Sequence, residues 1–204
     1  MKDINLFKTK DSIYLKKIKT KADISEDSEG YLIESSEKEA RKIIASLKDK
    51  KYKGAARGIP SKLGTKVPSS SGKVGIVGGD DAFNRRAIET LKMDYLVSPE
   101  RGVKKDSLKQ RDSGINHVVA KLASEKGISI VIDFSEVASL SGKEKALRLE
   151  KIIQNVKICR KAGCEIKIAS FGKSAGEIFG ENERNAFGVS LGMSSVQARD
   201  STQF

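Results

Sequence analysis

Residues 129–169 read SIVIDFSEVASLSGKEKALRLEKIIQNVKICRKAGCEIKIA, and this stretch sets the fold class. It opens on an apolar, β-branched run, Ser129–Asp133, and closes on a second one, Glu165–Ala169. Between them Ala146, Leu149, Ile152, Ile153 and Val156 recur at i, i+3, i+4 spacing, the single apolar face of a helix over Lys143–Ala162. Lys151, Gln154 and Lys161 fall on the opposite arc, and Gly163 supplies the residue at which such a helix stops. Strand, helix, strand in that order is the repeating unit of a parallel α/β fold.

The same alternation continues toward both ends. Further strands are expected at Ile4–Phe7, Gly54–Ala56, Val74–Val77 and Tyr95–Val97, and further helices over Glu37–Asp49, Ala82–Lys92, Ser113–Lys126 and Glu183–Leu191. Phe171–Gly180 reads as loop and turn. Residues 9–36 mix Lys with Asp, Glu and Ser, and residues 59–72 are rich in Gly, Pro and Ser, so both stretches read as loop-rich. The 204 residues fit one α/β domain, residues 1–204. A compact TIM-barrel-like (β/α) barrel fits the alternation better than an open doubly wound sheet, although about 250 residues is typical of a complete eight-fold barrel. In such a barrel the loops after the strand C-termini carry function. Here they hold Gly78-Gly79-Asp80, residues 98–111, Asp133–Glu136 and Ser170–Lys173.

Charge speaks to partners. Lys and Arg number 39 against 27 Asp and Glu, a formal net charge of +12, and nucleic acid is the commonest polyanion such a chain meets. The excess is grouped. Residues 1–21 hold seven Lys against two Asp, and residues 48–73 hold eight Lys or Arg against Asp49. Arg101, Lys104, Lys105, Lys109 and Arg111 face only Asp106. Separate basic groups suit a phosphate backbone met at several points. No apolar run approaches the ~20 residues of a spanning helix, and the N-terminus has no apolar signal stretch, so no membrane partner and a cytoplasmic location are expected. Cys159 and Cys164 are too few for a disulfide framework or a zinc site, and Cys159 is expected in the core.

Residues 111–123, RDSGINHVVAKLA, are the most informative for function. Asp112 or Ser113 is expected to cap the helix that follows, with Ile115, Val118, Val119 and Leu122 buried. His117 and Lys121 then share the exposed side, and Arg111 precedes the helix N-terminus, where backbone donors favour a phosphate. By geometry alone a solvated helix face explains these residues equally well.

This run resembles the archaeal ribonuclease P protein component 3 family, related to the thirty-kilodalton ribonuclease P protein of eukaryotes. Asn84-Arg85-Arg86-Ala87, residues 93–99 (MDYLVSP) and residues 187–193 (FGVSLGM) are similar to that family too. Residues 74–199 carry the likeness, whereas residues 9–72 match only in the order of elements. The resemblance implies a TIM-barrel-like fold and a subunit role in a ribonucleoprotein that removes the 5′ leader from precursor tRNA. It implies partners as well: the ribonuclease P RNA, component 2 in a two-plus-two complex, and the other ribonuclease P proteins. The RNA performs the cleavage with Mg²⁺, and this chain is expected to hold no cofactor, metal or catalytic residue. Arg85, Arg86, Arg111, His117 and Lys121 carry over as RNA-contacting positions; Arg101, Lys104 and Lys105 join them on charge alone.

Enzymatic readings compete with this one. Metal-dependent phosphoesterase barrels need several His and carboxylate ligands, and the chain has one His. Gly78-Gly79-Asp80 and residues 170–174 match no complete phosphate-binding loop and read as turns. The stronger rival is a Schiff-base lyase. Lys167 alternates with Ile166 and Ile168, and a barrel-strand Lys that loses its proton through desolvation attacks carbonyls, with Asp133 as acid/base partner. A Lys that reaches solvent or pairs with Glu165 is the plainer reading, because aldol chemistry leaves the net basicity unexplained.

Overall fold

In a computed structural model describing residues 3–9, 12–25, 28–49, 73–102 and 112–204, seven strands pair in chain order, every neighbouring pair parallel. They are β1 (Asp3–Asn5), β2 (Ser12–Ile18), β3 (Gly30–Ile33), β4 (Lys73–Val77), β5 (Tyr95–Val97), β6 (Ser129–Asp133) and β7 (Ile166–Ala169). The helices are α1 (Glu37–Asp49), α2 (Asp81–Thr90), α3 (His117–Glu125), α4 (Phe134–Ser139), α5 (Gly142–Ala162), α6 (Glu181–Ser190) and α7 (Ser195–Ser201).

The sheet curls until its ends meet. Phe171 N–H donates to the Ile4 carbonyl at 2.9 Å, and Leu6 N–H donates to the Gly172 carbonyl at 3.0 Å. Buried Asp3 accepts from the Ser170 N–H at 3.1 Å, and its Oδ1 lies 3.0 Å from Nη1 of buried Arg184 on α6. The result is a nearly closed TIM-barrel-like structure. Period-two alternation explains its interior: Ile4, Leu15, Leu32, Tyr95, Val97, Val131 and Ala169 fill the lumen with Phe171. The opposite faces of β3–β7 pack Ile33, Ile76, Leu96, Ile130, Ile132 and Ile168 against the helices outside. Ile152 and Val156 of α5 and Cys159 are fully buried there. Gly163 stops α5 in the left-handed region, φ +67°, as the sequence predicts.

Two expectations change. Residues 9–36 are not merely irregular, because they contain β2 and β3. The Lys residues of β2 hide its alternation, and those side chains remain half or fully exposed at positions 16 and 17. The helix expected over Ser113–Lys126 starts later, at His117, and its cap is Asn116, whose Oδ1 accepts from Val119 N–H at 2.9 Å. The strand expected at Gly54–Ala56 and the loop at residues 59–72 lie outside the described residues.

Candidate nucleic-acid interface

The residues preceding α3 are held by an asparagine on α2. Asn84 is fully buried; its Oδ1 accepts from Gly79 N–H at 2.8 Å. Its Nδ2 is shared among the carbonyls of Gly79 (3.1 Å), Pro99 (2.9 Å) and Gly114 (2.8 Å). Gly114 is obligatory there: φ is +85°, and an added Cβ would lie 2.0 Å from the Pro99 carbonyl oxygen. Asp112 Oδ1 closes a local turn by accepting from Gly114 N–H at 2.9 Å, and Asn155 Nδ2 on α5 donates to the Ser113 carbonyl at 2.9 Å. The Asp-Ser-Gly part of the run is therefore architectural. It locks α2, α3 and α5 together, and neither Asp112 nor Ser113 caps the helix.

Beyond that lock, His117 and Lys121 sit exposed on one side of α3, and Ile115 and Val119 are buried. Val118 departs from the expected stripe. It is 69% exposed because the buried side of α3 runs through Val119, Ala120 and Ala123, and Leu122 is only partly buried. Helix α2 packs beside α3, and Lys126 Nζ donates to the carbonyls of Ile88 (2.8 Å) and Glu89 (2.6 Å) at α2's end. Arg85 and Arg86 are exposed on α2, each held by an acid: Arg85 Nε to Glu89 at 2.8 Å, Arg86 Nε to Glu37 on α1 at 2.7 Å. An open cleft between α1 and α2 adds Lys38 and Arg41, which sequence reasoning missed. Their only signal was position on the exposed side of α1.

Arg101 goes elsewhere. It lies at the mouth of the barrel, between Glu34 (2.9 Å) and Glu136 (3.3 Å), so it does not join the α2–α3 surface. Lys104, Lys105 and Arg111 lie outside the described residues. The position of α3 alters the expectation for Arg111, since residues 112–116 stand between it and the first helical residue. Next to it in sequence, Asp112 raises the carboxyl of Asp81, which burial first and Asp112 second push up to about 6.

The enzymatic readings find no support in the geometry. Lys167 does enter the lumen, but near the start of its strand, the end opposite the mouth where barrel active sites sit. Its Nζ pairs with Glu165 at 2.8 Å and donates to the Gln203 carbonyl at 2.6 Å, under the ring of Phe204. Asp133, its supposed partner, lies at the other end of the barrel and caps α4 through Glu136 N–H at 2.8 Å. The two glycine-bearing loops are turns in which several donors already have acceptors: Gly79 N–H on Asn84, Gly172 N–H on Asn5 at 3.1 Å, Lys173 N–H on Glu177 at 2.9 Å. Among the described residues no group of three or more His, Cys, Asp or Glu is placed to hold a metal ion. No helix among them is long and apolar enough to cross a membrane.

Fold and surface together define a small parallel (β/α) barrel that presents basic side chains on its outer helices. By sequence the chain is related to archaeal ribonuclease P protein component 3. It is 31% identical to that protein from Thermococcus gammatolerans over 129 residues, 63% of this chain and 56% of the relative. Against the Methanocaldococcus jannaschii protein the identity is 30% over 154 residues, 73% of this chain and 63% of the relative. The chain thus spans between 56% and 63% of the length of these two curated relatives. No protein family's sequence profile matches it. Among solved structures, a chain of an archaeal ribonuclease P with mature tRNA superposes with a TM-score of 0.70 at 19% identity, covering 98% of this chain and 86% of that one. Aspergillus niger ochratoxinase shares the barrel more distantly, with a TM-score of 0.52 over 86% of this chain and 38% of its own.

Proposed function

We propose that this chain is a protein subunit of ribonuclease P, acting on precursor tRNA in a cytoplasmic ribonucleoprotein. The observation that carries the reading is the 30% identity to component 3 across 154 residues. In this role the chain binds and supports the catalytic RNA, and component 2 and the other ribonuclease P proteins are its protein partners. Cleavage of the 5′ leader belongs to the RNA and its Mg²⁺, and the isolated chain is not catalytic. RNA contacts come from Arg85 and Arg86 on α2, His117 and Lys121 on α3, and Lys104, Lys105 and Arg111 in the segment between β5 and α3. Arg101, engaged by two acids, contributes only by exchanging one of them for a phosphate.

Binding of the purified chain to ribonuclease P RNA across a salt series tests the reading. If about five phosphates are neutralised, affinity drops about a hundredfold or more between 50 and 200 mM salt. Binding that ignores salt, or equal affinity for an unrelated neutral polymer, contradicts it.

A further inference from the structure

Between the N-terminal turns of α1 and α2 the open cleft measures about 720 Å³, within the size range of sites for whole small molecules rather than single ions. Its two walls repeat one spacing. Lys38 and Arg41 face it from α1, Phe83 and Arg86 from α2, and residues three apart share a side of their helix.

One carboxylate pins both walls. Glu37 Oε1 lies 3.0 Å from Arg41 Nη2, its Oε2 lies 2.7 Å from Arg86 Nε, and Arg41 Nη2 also donates to Thr90 Oγ1 at 3.2 Å. A guanidinium carries five N–H donors in a rigid fork, so each arginine is held in place with donors to spare. Asp80, the other acid of the cleft, accepts from Phe83 N–H at 2.8 Å as the cap of α2, where the positive end of the helix offsets its charge. Lys38 is exposed at the rim. Three cations therefore stand against two acids that are already engaged.

Phe83 supplies an apolar surface in the midst of these charges. It is half-buried, and it lines both this cleft and an adjoining hollow of about 420 Å³ that leads to Arg101 at the barrel mouth. Its ring lies against Gly79, where a Cβ would come within 3.0 Å of it. An aromatic ring flanked by cations is how proteins hold unpaired nucleotides, the base stacking on the ring while the cations take the phosphates.

We propose that the α1–α2 cleft seats an unpaired nucleotide of RNA, its base against Phe83 and its flanking phosphates on Lys38, Arg41 and Arg86. The proposal rests on the ribonuclease P reading and adds to it the kind of RNA this wall takes, which is single-stranded. In a duplex each base is covered by its neighbours, so a paired strand meets the cations and not the ring. An acidic peptide likewise offers carboxylates to the cations and no flat base to Phe83.

The chain contains no Trp, so Phe83→Trp keeps an aromatic ring and installs a single fluorescent reporter in the cleft. Full-length Phe83→Trp is titrated with a short oligouridylate, with a blunt-ended RNA duplex and with polyglutamate. The oligouridylate quenches the tryptophan emission, and the duplex and polyglutamate leave it unchanged. In the protein without the reporter, Phe83→Leu weakens oligouridylate at least about fivefold, the lower end of the loss expected for one base–aromatic stack, and Phe83→Tyr restores the affinity. Both variants retain the wild-type affinity for duplex. Lys38→Ala weakens oligouridylate and flattens its salt dependence. Quenching by the duplex as strong as that by oligouridylate, no quenching by oligouridylate at about 1 mM, or full affinity in Phe83→Leu overturns the proposal. Quenching by polyglutamate that oligouridylate does not displace also overturns it and assigns the cleft to an acidic protein segment. Salt-dependent binding of the wild-type chain to ribonuclease P RNA is measured alongside. If that binding stands while Phe83→Leu keeps full affinity for oligouridylate, the cleft assignment alone falls.

Discussion

Asn84 on α2 and Gly114 ahead of α3 are joined by a 2.8 Å hydrogen bond between an amide side chain and a backbone carbonyl, buried from solvent. Through that contact the candidate RNA surface becomes one rigid piece rather than two helices and a loop. Asn84→Ala strands the half-buried Gly79 N–H and carbonyl together with the Pro99 and Gly114 carbonyls, whose bonds to Asn84 are buried. It should cost about 2–4 kcal/mol in chemical denaturation, the sum of more than one lost buried hydrogen bond. Gly114→Ala should be at least as severe, because its Cβ would overlap the Pro99 carbonyl. Wild-type stability in either variant refutes the lock.

His117 and Lys121 give the opposite result. Both are exposed, so His117→Ala and Lys121→Ala should change stability by no more than ~0.5 kcal/mol while lowering reconstituted processing, most visibly at raised salt. Ile115→Ala, at 3% exposure, should cost about 2–5 kcal/mol. Arg111→Ala belongs in the same series. If it melts like Ile115→Ala, its role is structural.

How much of this was legible in the sequence depends on what each residue has to satisfy. Period-two and period-3.6 spacing revealed β4 to β7, α1 and α5 because those elements bury one complete face. β2 escaped notice because Lys16 and Lys17 interrupt its alternation, and α4 and α7 because they are six and seven residues long. His117 and Lys121 were placed correctly by helical phase. The ion pairs of Arg101 were not legible, since charge alone says nothing about Glu34 and Glu136, which are distant in sequence and adjacent only once the barrel closes. Asn84's role also needed tertiary structure, as four of its contacts converge from loops after different strands.

Asp133 should make stability fall with rising pH. Its folded-state carboxyl is held near 7 by burial, above the ordinary unfolded value near 4. The folded protein therefore binds the proton more tightly, and the contribution is fully present below about pH 4 and is lost as pH rises to about 7. Asp133→Asn keeps the cap on α4 and removes the titration. It should gain about 2–4 kcal/mol relative to wild type between pH 4 and pH 8. Parallel melting curves at both pH values contradict this.

Lys167 should behave as a brace. Lys167→Ala frees Glu165 and the Gln203 carbonyl at the base of the barrel, and it should lower the melting temperature while processing in reconstituted enzyme persists below that temperature. Borohydride with small aldehydes and ketones should trap no adduct on Lys167 by mass spectrometry. A specific reduced adduct there would revive lyase chemistry.

The central claim is that this chain supports an RNA catalyst. Precursor tRNA cleavage should therefore be measured with ribonuclease P RNA and the remaining protein subunits, with and without the chain, at limiting Mg²⁺, alongside the rigorously RNA-free chain. The account predicts correct 5′-leader removal that falls sharply when the chain is omitted, and none by the chain alone. Cleavage by the RNA-free chain, abolished by one carboxylate substitution, or full holoenzyme activity without the chain, would contradict it.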